Sequence, residues 1–136
     1  MNRNDLLQPR RDPWSLEEKL IKFAVQTISV VEALPQSKAS RHIAQQLVRC
    51  GTSPAANYGE AQAAESRKGF VHKMKVALKE LRESLVWLRI IQSKSLGEDA
   101  LVARIAGDCD ELVAIFVVSI RTAEHNMGRA IKRDEL

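Results

Sequence analysis

The chain has 136 residues and a net charge of +4, enough length for one domain that buries roughly two-thirds of its unfolded surface. That modest basic excess permits an anionic partner without demanding one. No charge-free run exceeds ten residues, which excludes a membrane-spanning segment. Ala, Leu, Glu, Lys, Arg and Gln dominate and aromatic residues make up 4%, a composition that favours an all-helical fold. Cys50 and Cys109 form neither a CxxC pair nor a metal-ligand spacing, so reduced, buried thiols are expected.

Residues 1–13, MNRNDLLQPRRDP, are polar, carry Pro9 and Pro13, and lack an apolar signal core; a flexible arm is expected there. The closing RDEL is close to an endoplasmic-reticulum retention signal, but without a leader the expected location is cytoplasmic. Ser15, with Glu18 three residues on, reads as the capping box of a first helix running to about Ala33. Its stripe is Leu16, Leu20, Phe23, Thr27, Val30/Val31 and Leu34. Pro35-Gln-Ser37 ends it, and Ser37 caps the next helix.

The second helix begins near Lys38 and buries Ile43, Leu47 and Cys50. Pro54 then removes an amide donor and crowds the carbonyl of Cys50. Either one helix from 38 to 64 kinks at Pro54, or Ser53 caps a fresh segment with Pro54 at its first position. The kinked helix is preferred, with the Thr52 and Ser53 hydroxyls meeting freed carbonyls.

Ser66 caps a third helix that runs to about Gln92. Phe70, Met74, Ala77, Leu81, Leu85 and Leu88, spaced 4, 3, 4, 4 and 3, form its buried stripe. Residues 93–97 make a turn, and a fourth helix over about 98–124 turns Leu101, Ile105, Cys109, Leu112, Phe116 and Ile120 inward. Residues 125–136 are expected to be a short basic tail. Connections of about two to five residues force neighbouring helices antiparallel, giving an up-down-up-down four-helix bundle over residues 14–124.

Within the fourth helix, Leu112 to Ile120 runs nine residues without a charge. Val113, Val117 and Val118 fall off the Leu112/Phe116 stripe and are expected to form a subunit interface; shielding by the arm or by long side chains is the other reading.

Two stretches, GTSPAANYGEAQAAES and FVHKMKVALKELRESLVWLRII, carry a resemblance over about residues 15–123. The chain resembles the bacterial four-helix-bundle family named for proteins encoded in intervening sequences of 23S ribosomal RNA genes, a family related in fold to the accessory variability proteins of diversity-generating retroelements. Ser53, Ala56-Asn57-Tyr58 and Glu60-Ala61 carry the likeness in the first stretch; Phe70, His72-Lys73, Lys79-Glu80, Glu83 and Trp87-Leu88 carry it in the second. The chain departs from the family's pattern at Pro54, where an aliphatic residue is usual, at Ala55, where Gly is common, and at Gly59, where a basic residue often follows the Tyr. The resemblance implies an all-α bundle, commonly a ring-like homopentamer, no known catalytic activity, and nucleic-acid binding for some members.

The residues themselves offer little catalysis. His42, His72 and His125 make no HExxH, and no Glu-x-x-His of a carboxylate-bridged metal bundle is present. No Gly-rich phosphate loop and no nucleophile with a sequence-visible base occurs, so no enzyme activity, cofactor or metal is expected. Asn57 is expected as a buried amide satisfying backbone groups near Pro54 or across an interface, and Glu60 as a partner for bases of the third helix.

The charge pattern is more informative. Between 67 and 94, eight Lys/Arg stand against Glu80 and Glu83, a net +6, whereas residues 98–124 carry a net −4. Lys68, His72, Lys75, Lys79, Arg82 and Arg89 fall 4, 3, 4, 3 and 7 apart, a basic stripe beside the core stripe. Two readings stand: complementary pairing of the third and fourth helices, within or between subunits, or an exposed face for RNA or DNA. An exposed stripe favours nucleic acid; a consumed one favours a structural or protein-interaction module.

Overall fold

The computed structural model describes the backbone of residues 15–134 and side chains from Ser15 to Arg129. The expected N-terminal arm lies outside the described residues. Four helices follow one another: α1 (Leu16–Glu32), α2 (Lys38–Gln62), α3 (Arg67–Lys94) and α4 (Asp99–Asp134).

Each of the first three helices starts where a serine can cap it. The Ser15 hydroxyl accepts from the Glu18 amide at 3.1 Å while the Ser15 amide donates to the Glu18 carboxylate at 3.0 Å, a complete capping box. Ser37 accepts from the Ser40 amide at 3.1 Å and Ser66 from the Gly69 amide at 3.0 Å, each satisfying an amide the helix leaves unpaired. At the other end of α3, Ser95 turns left-handed (φ 52°) and its amide closes the last turn on the Gln92 carbonyl at 3.1 Å.

α2 is continuous through Pro54, as the preferred reading had it. The hydroxyls behave differently from expectation. Thr52 donates to the Val48 carbonyl at 2.6 Å, two residues before the Cys50 carbonyl that Pro54 frees, and the Ser53 hydroxyl is buried without a partner among the described residues. α4 does not stop near residue 124; it continues to Asp134. The expected tail is therefore corrected over most of its length. Its residues include good helix formers and no proline, and Met127 packs back against the core.

The core lies where the stripes place it. Phe23, Leu47, Leu81 and Phe116, one from each helix, are 0–1% exposed. Burial of such side chains contributes about 1.5–3 kcal/mol each relative to exposure. Both thiols are free and buried, as expected; Cys109 donates to the Leu81 carbonyl at 3.2 Å, tying α4 to α3. Burial pushes the Cys109 thiol up to about 12.

Packing follows chain order: α1 on α2, α2 on α3, α3 on α4, and α4 back on α1. The last seam is the loosest, holding a cavity of about 140 Å³ beside Phe23 and Leu112 and the Lys19–Glu111 ion pair at 3.6 Å. The backbones of α1 and α3 do not approach one another closely, so the two helices occupy diagonal corners of the bundle.

Candidate nucleic-acid interface

α3 is 28 residues long, and burying Met74, Ala77, Leu81 and Leu88 turns the opposite face to solvent. Lys68, His72, Lys75, Lys79, Arg82 and Arg89 are all exposed on that side. Lys68 to Arg82 alone covers about 20 Å of helix. Lys75 pairs with Glu124 of α4 at 3.3 Å. None of the other five forms an ion pair or hydrogen bond with a described residue.

The placement of α3's carboxylates explains why its outward bases find no partner on their own helix. Arg49 of α2 reaches across the seam, its guanidinium donating to Glu80 at 3.0 Å and to both oxygens of Glu83 at 2.7 and 2.9 Å. Gln46 accepts from the same guanidinium at 3.1 Å and holds it in place. The bond from Arg49 keeps the Glu83 carboxyl below the usual glutamate range, and the carboxylate in turn raises the Arg49 pKa. With both acids of α3 turned to the α2 side and held by Arg49, the outward face carries only basic side chains of α3. The expected pairing between α3 and α4 is limited to Lys75–Glu124 among the described residues. Sequence reading missed Arg49 because its partners lie 31 and 34 residues away and share no periodic signal with it.

The remaining motif residues serve the bundle. Glu60 meets Lys73 of α3 at 2.7 Å, the expected pairing with a base of the third helix. Tyr58 sets its ring edge-on to Phe116 with centroids 6.3 Å apart, and its hydroxyl bonds the Gln62 amide. Asn57 is half-buried and makes no hydrogen bond to a described residue, so it does not serve the backbone groups near Pro54. Its position on α2 leaves the amide reachable by solvent, so no backbone group is needed to satisfy it.

The expected oligomer patch divides. Val113 packs against the core, Val117 is half-buried and Val118 is 63% exposed. Val113 thus lies on a flank of the core, beside the Leu112/Phe116 line. Further exposed apolar side chains stand elsewhere: Ile21, Val25 and Ile28 on α1, and Val86 and Ile90 on α3. Among the described residues, no three His, Cys, Asp or Glu side chains are placed to hold a metal, and no helix is long and apolar enough to cross a membrane.

The profile of the 23S rRNA-intervening sequence proteins matches residues 15–117, from the capping serine of α1 into α4. The chain belongs to that family. A solved structure described as a protein of unknown function from the S23 ribosomal protein family, from Bacteroides thetaiotaomicron VPI-5482, aligns with a TM-score of 0.73 at 28% identity. The alignment covers 78% of this chain and 98% of that one, so the family's bundle accounts for nearly the whole of the relative. No curated protein matches.

Proposed function

We propose that this member of the family is a non-enzymatic, cytoplasmic homo-oligomer that binds RNA or DNA weakly and without sequence preference along α3. The observation that carries the reading is the exposed row from Lys68 to Arg89, five of whose six members lack an ion-pair partner among the described residues. Such a row neutralises phosphates and releases their counterions, a contact that is indifferent to base identity. No Phe, Tyr or Trp stands in the row to stack on bases, which argues against sequence readout. A ring, a homopentamer by family resemblance, repeats the row in every subunit and multiplies weak contacts by avidity.

A second reading has its own observation. Val86 and Ile90 continue the basic row toward the end of α3 and are 54% and 39% exposed, so part of this face suits a protein partner. Affinity purification from the native host, with and without nuclease, separates the readings. Nucleic-acid binding predicts that RNA or DNA copurifies and that associated proteins fall away on nuclease treatment. An interaction module predicts partners that resist nuclease and no copurifying nucleic acid.

A further inference from the structure

Two apolar strips are left open on helices at opposite corners of the bundle. On α1, Ile21, Val25 and Ile28 are 49%, 57% and 39% exposed, although each lies within two positions of a buried core residue. On α3, Val86 and Ile90 are exposed over a shallow groove that also takes in Arg89, Ser93 and Lys94. A lone exposed valine is ordinary on a monomer, whereas two ordered strips of β-branched residues are not.

The charges at the ends of the strips are opposite in sign, with exposed Lys22 the one base beside Ile21 and Val25 on α1. Glu17 and Glu18 stand at one end of the α1 strip and Glu32 at the other, all exposed. Arg82 and Lys94 bracket the α3 strip, with Arg89 beside it, and these too are exposed. The spacing also matches. Glu17, Ile21, Val25 and Ile28 fall 4, 4 and 3 apart, and so do Arg82, Val86, Ile90 and Ser93.

We propose that a second copy of this chain covers each strip: α1 of one protomer docks in parallel along the C-terminal half of α3 of the next. The register sets Glu17 against Arg82, Ile21 on Val86, Val25 on Ile90, and Ile28 against Ser93. In an up-down-up-down bundle α1 and α3 run the same way, so rotation about an axis along the helices brings them together parallel, as this register requires. Self-pairing of like strips is disfavoured by the same charges. Antiparallel α1 on α1 brings Glu17 toward Glu32, and antiparallel α3 on α3 brings Arg82 toward Lys94. The contact is therefore head-to-tail, with two different surfaces on each copy, the kind that closes into a ring when the rotation permits.

This deepens the proposed homo-oligomer and rests on it, and it divides the basic row between two tasks. Arg82 belongs to the neighbour's Glu17 and Arg89 lies opposite Ala24, while Lys68, His72, Lys79 and the Glu124-paired Lys75 lie outside the contact and are left for phosphate.

Sedimentation of four samples tests it: wild type, Val25→Glu, Val86→Glu, and an equimolar mixture of the two variants. All four positions involved in the central contact are exposed, so unchanged circular dichroism is expected to verify the fold. The head-to-tail contact predicts an oligomeric wild type and two monomeric variants near 15.2 kDa. It also predicts a mixture that regains a heterodimer, because one variant keeps a sound α3 face and the other a sound α1 face. As a second measurement, mild oxidation of Ile21→Cys mixed with Val86→Cys should give the mixed disulfide in preference to either self-linked pair. Variants that stay oligomeric, or an assembly that only Val118→Glu dissolves, overturn this contact and leave the oligomer standing. A wild type that sediments at 15.2 kDa across micromolar concentrations overturns both.

Discussion

The α-carbon of Gly51 faces Thr27 so closely that a β-carbon there would stand 2.5 Å from the threonine methyl and 2.9 Å from its hydroxyl. Thr27 is itself wholly buried, its hydroxyl donating to the Phe23 carbonyl at 2.8 Å, so it cannot swing away without losing that bond. α1 and α2 approach closely here, and the approach requires glycine in mid-helix despite the residue's conformational cost.

Two glycines of one helix should consequently respond with opposite signs. Gly51→Ala should destabilise by about 1–3 kcal/mol through overpacking. Gly59→Ala, where nothing lies within 4 Å, should stabilise by about 0.5–1 kcal/mol. Adding Thr27→Ser to Gly51→Ala removes the nearest methyl and should recover part of the loss. Urea melts of the single and double variants form a cycle that measures the coupling. Equal, stabilising effects of both alanines would show that the helices do not meet at Gly51.

Leu81 lies at the centre of the bundle with none of its surface exposed, and its carbonyl receives the Cys109 thiol. Leu81→Ala should cost about 2–5 kcal/mol, the cost of lost burial plus a cavity that close-packed neighbours cannot fill. A loss under about 1 kcal/mol in denaturant melts would place that face of α3 in solvent.

The Arg49–Glu83 contact sets a sign for acid sensitivity. Arg49 lowers the Glu83 pKa in the folded chain, so the unfolded chain takes up this proton more readily. The stabilisation is present above the ordinary glutamate pKa and is lost as the pH falls through the lowered value. Both side chains are well exposed, at 49% and 36%, so the effect is modest. Urea midpoints from neutral into acid should fall less steeply for Arg49→Met than for wild type. Parallel curves would contradict the assignment.

What the sequence disclosed and what it hid divide along physical lines. Helix starts were legible because Ser15, Ser37 and Ser66 act on amides two or three residues away, and the buried stripes because burial follows the 3.6-residue period. Arg49 was illegible because an ion pair across a seam leaves no local trace. The outer strip of α1 was hidden by its own neighbours: Ile21, Val25 and Ile28 interleave with Leu20, Phe23 and Thr27, and a run apolar on both faces reads first as core. The end of α4 was misplaced because the residues after Glu124 read as a basic tail, whereas Met127 among them is held against the core.

The claim that α3 carries nucleic acid is tested most directly by titrating the protein onto labelled duplex DNA at two salt concentrations, with Lys75→Glu/Lys79→Glu alongside. These two lysines lie outside the proposed contact between copies, so the double variant should keep its assembly state. The account predicts binding at low salt that weakens with a log–log slope near −0.9 per phosphate contact, and a double variant that binds more weakly with a shallower slope. No binding at low salt, or equal binding by the double variant, would contradict it.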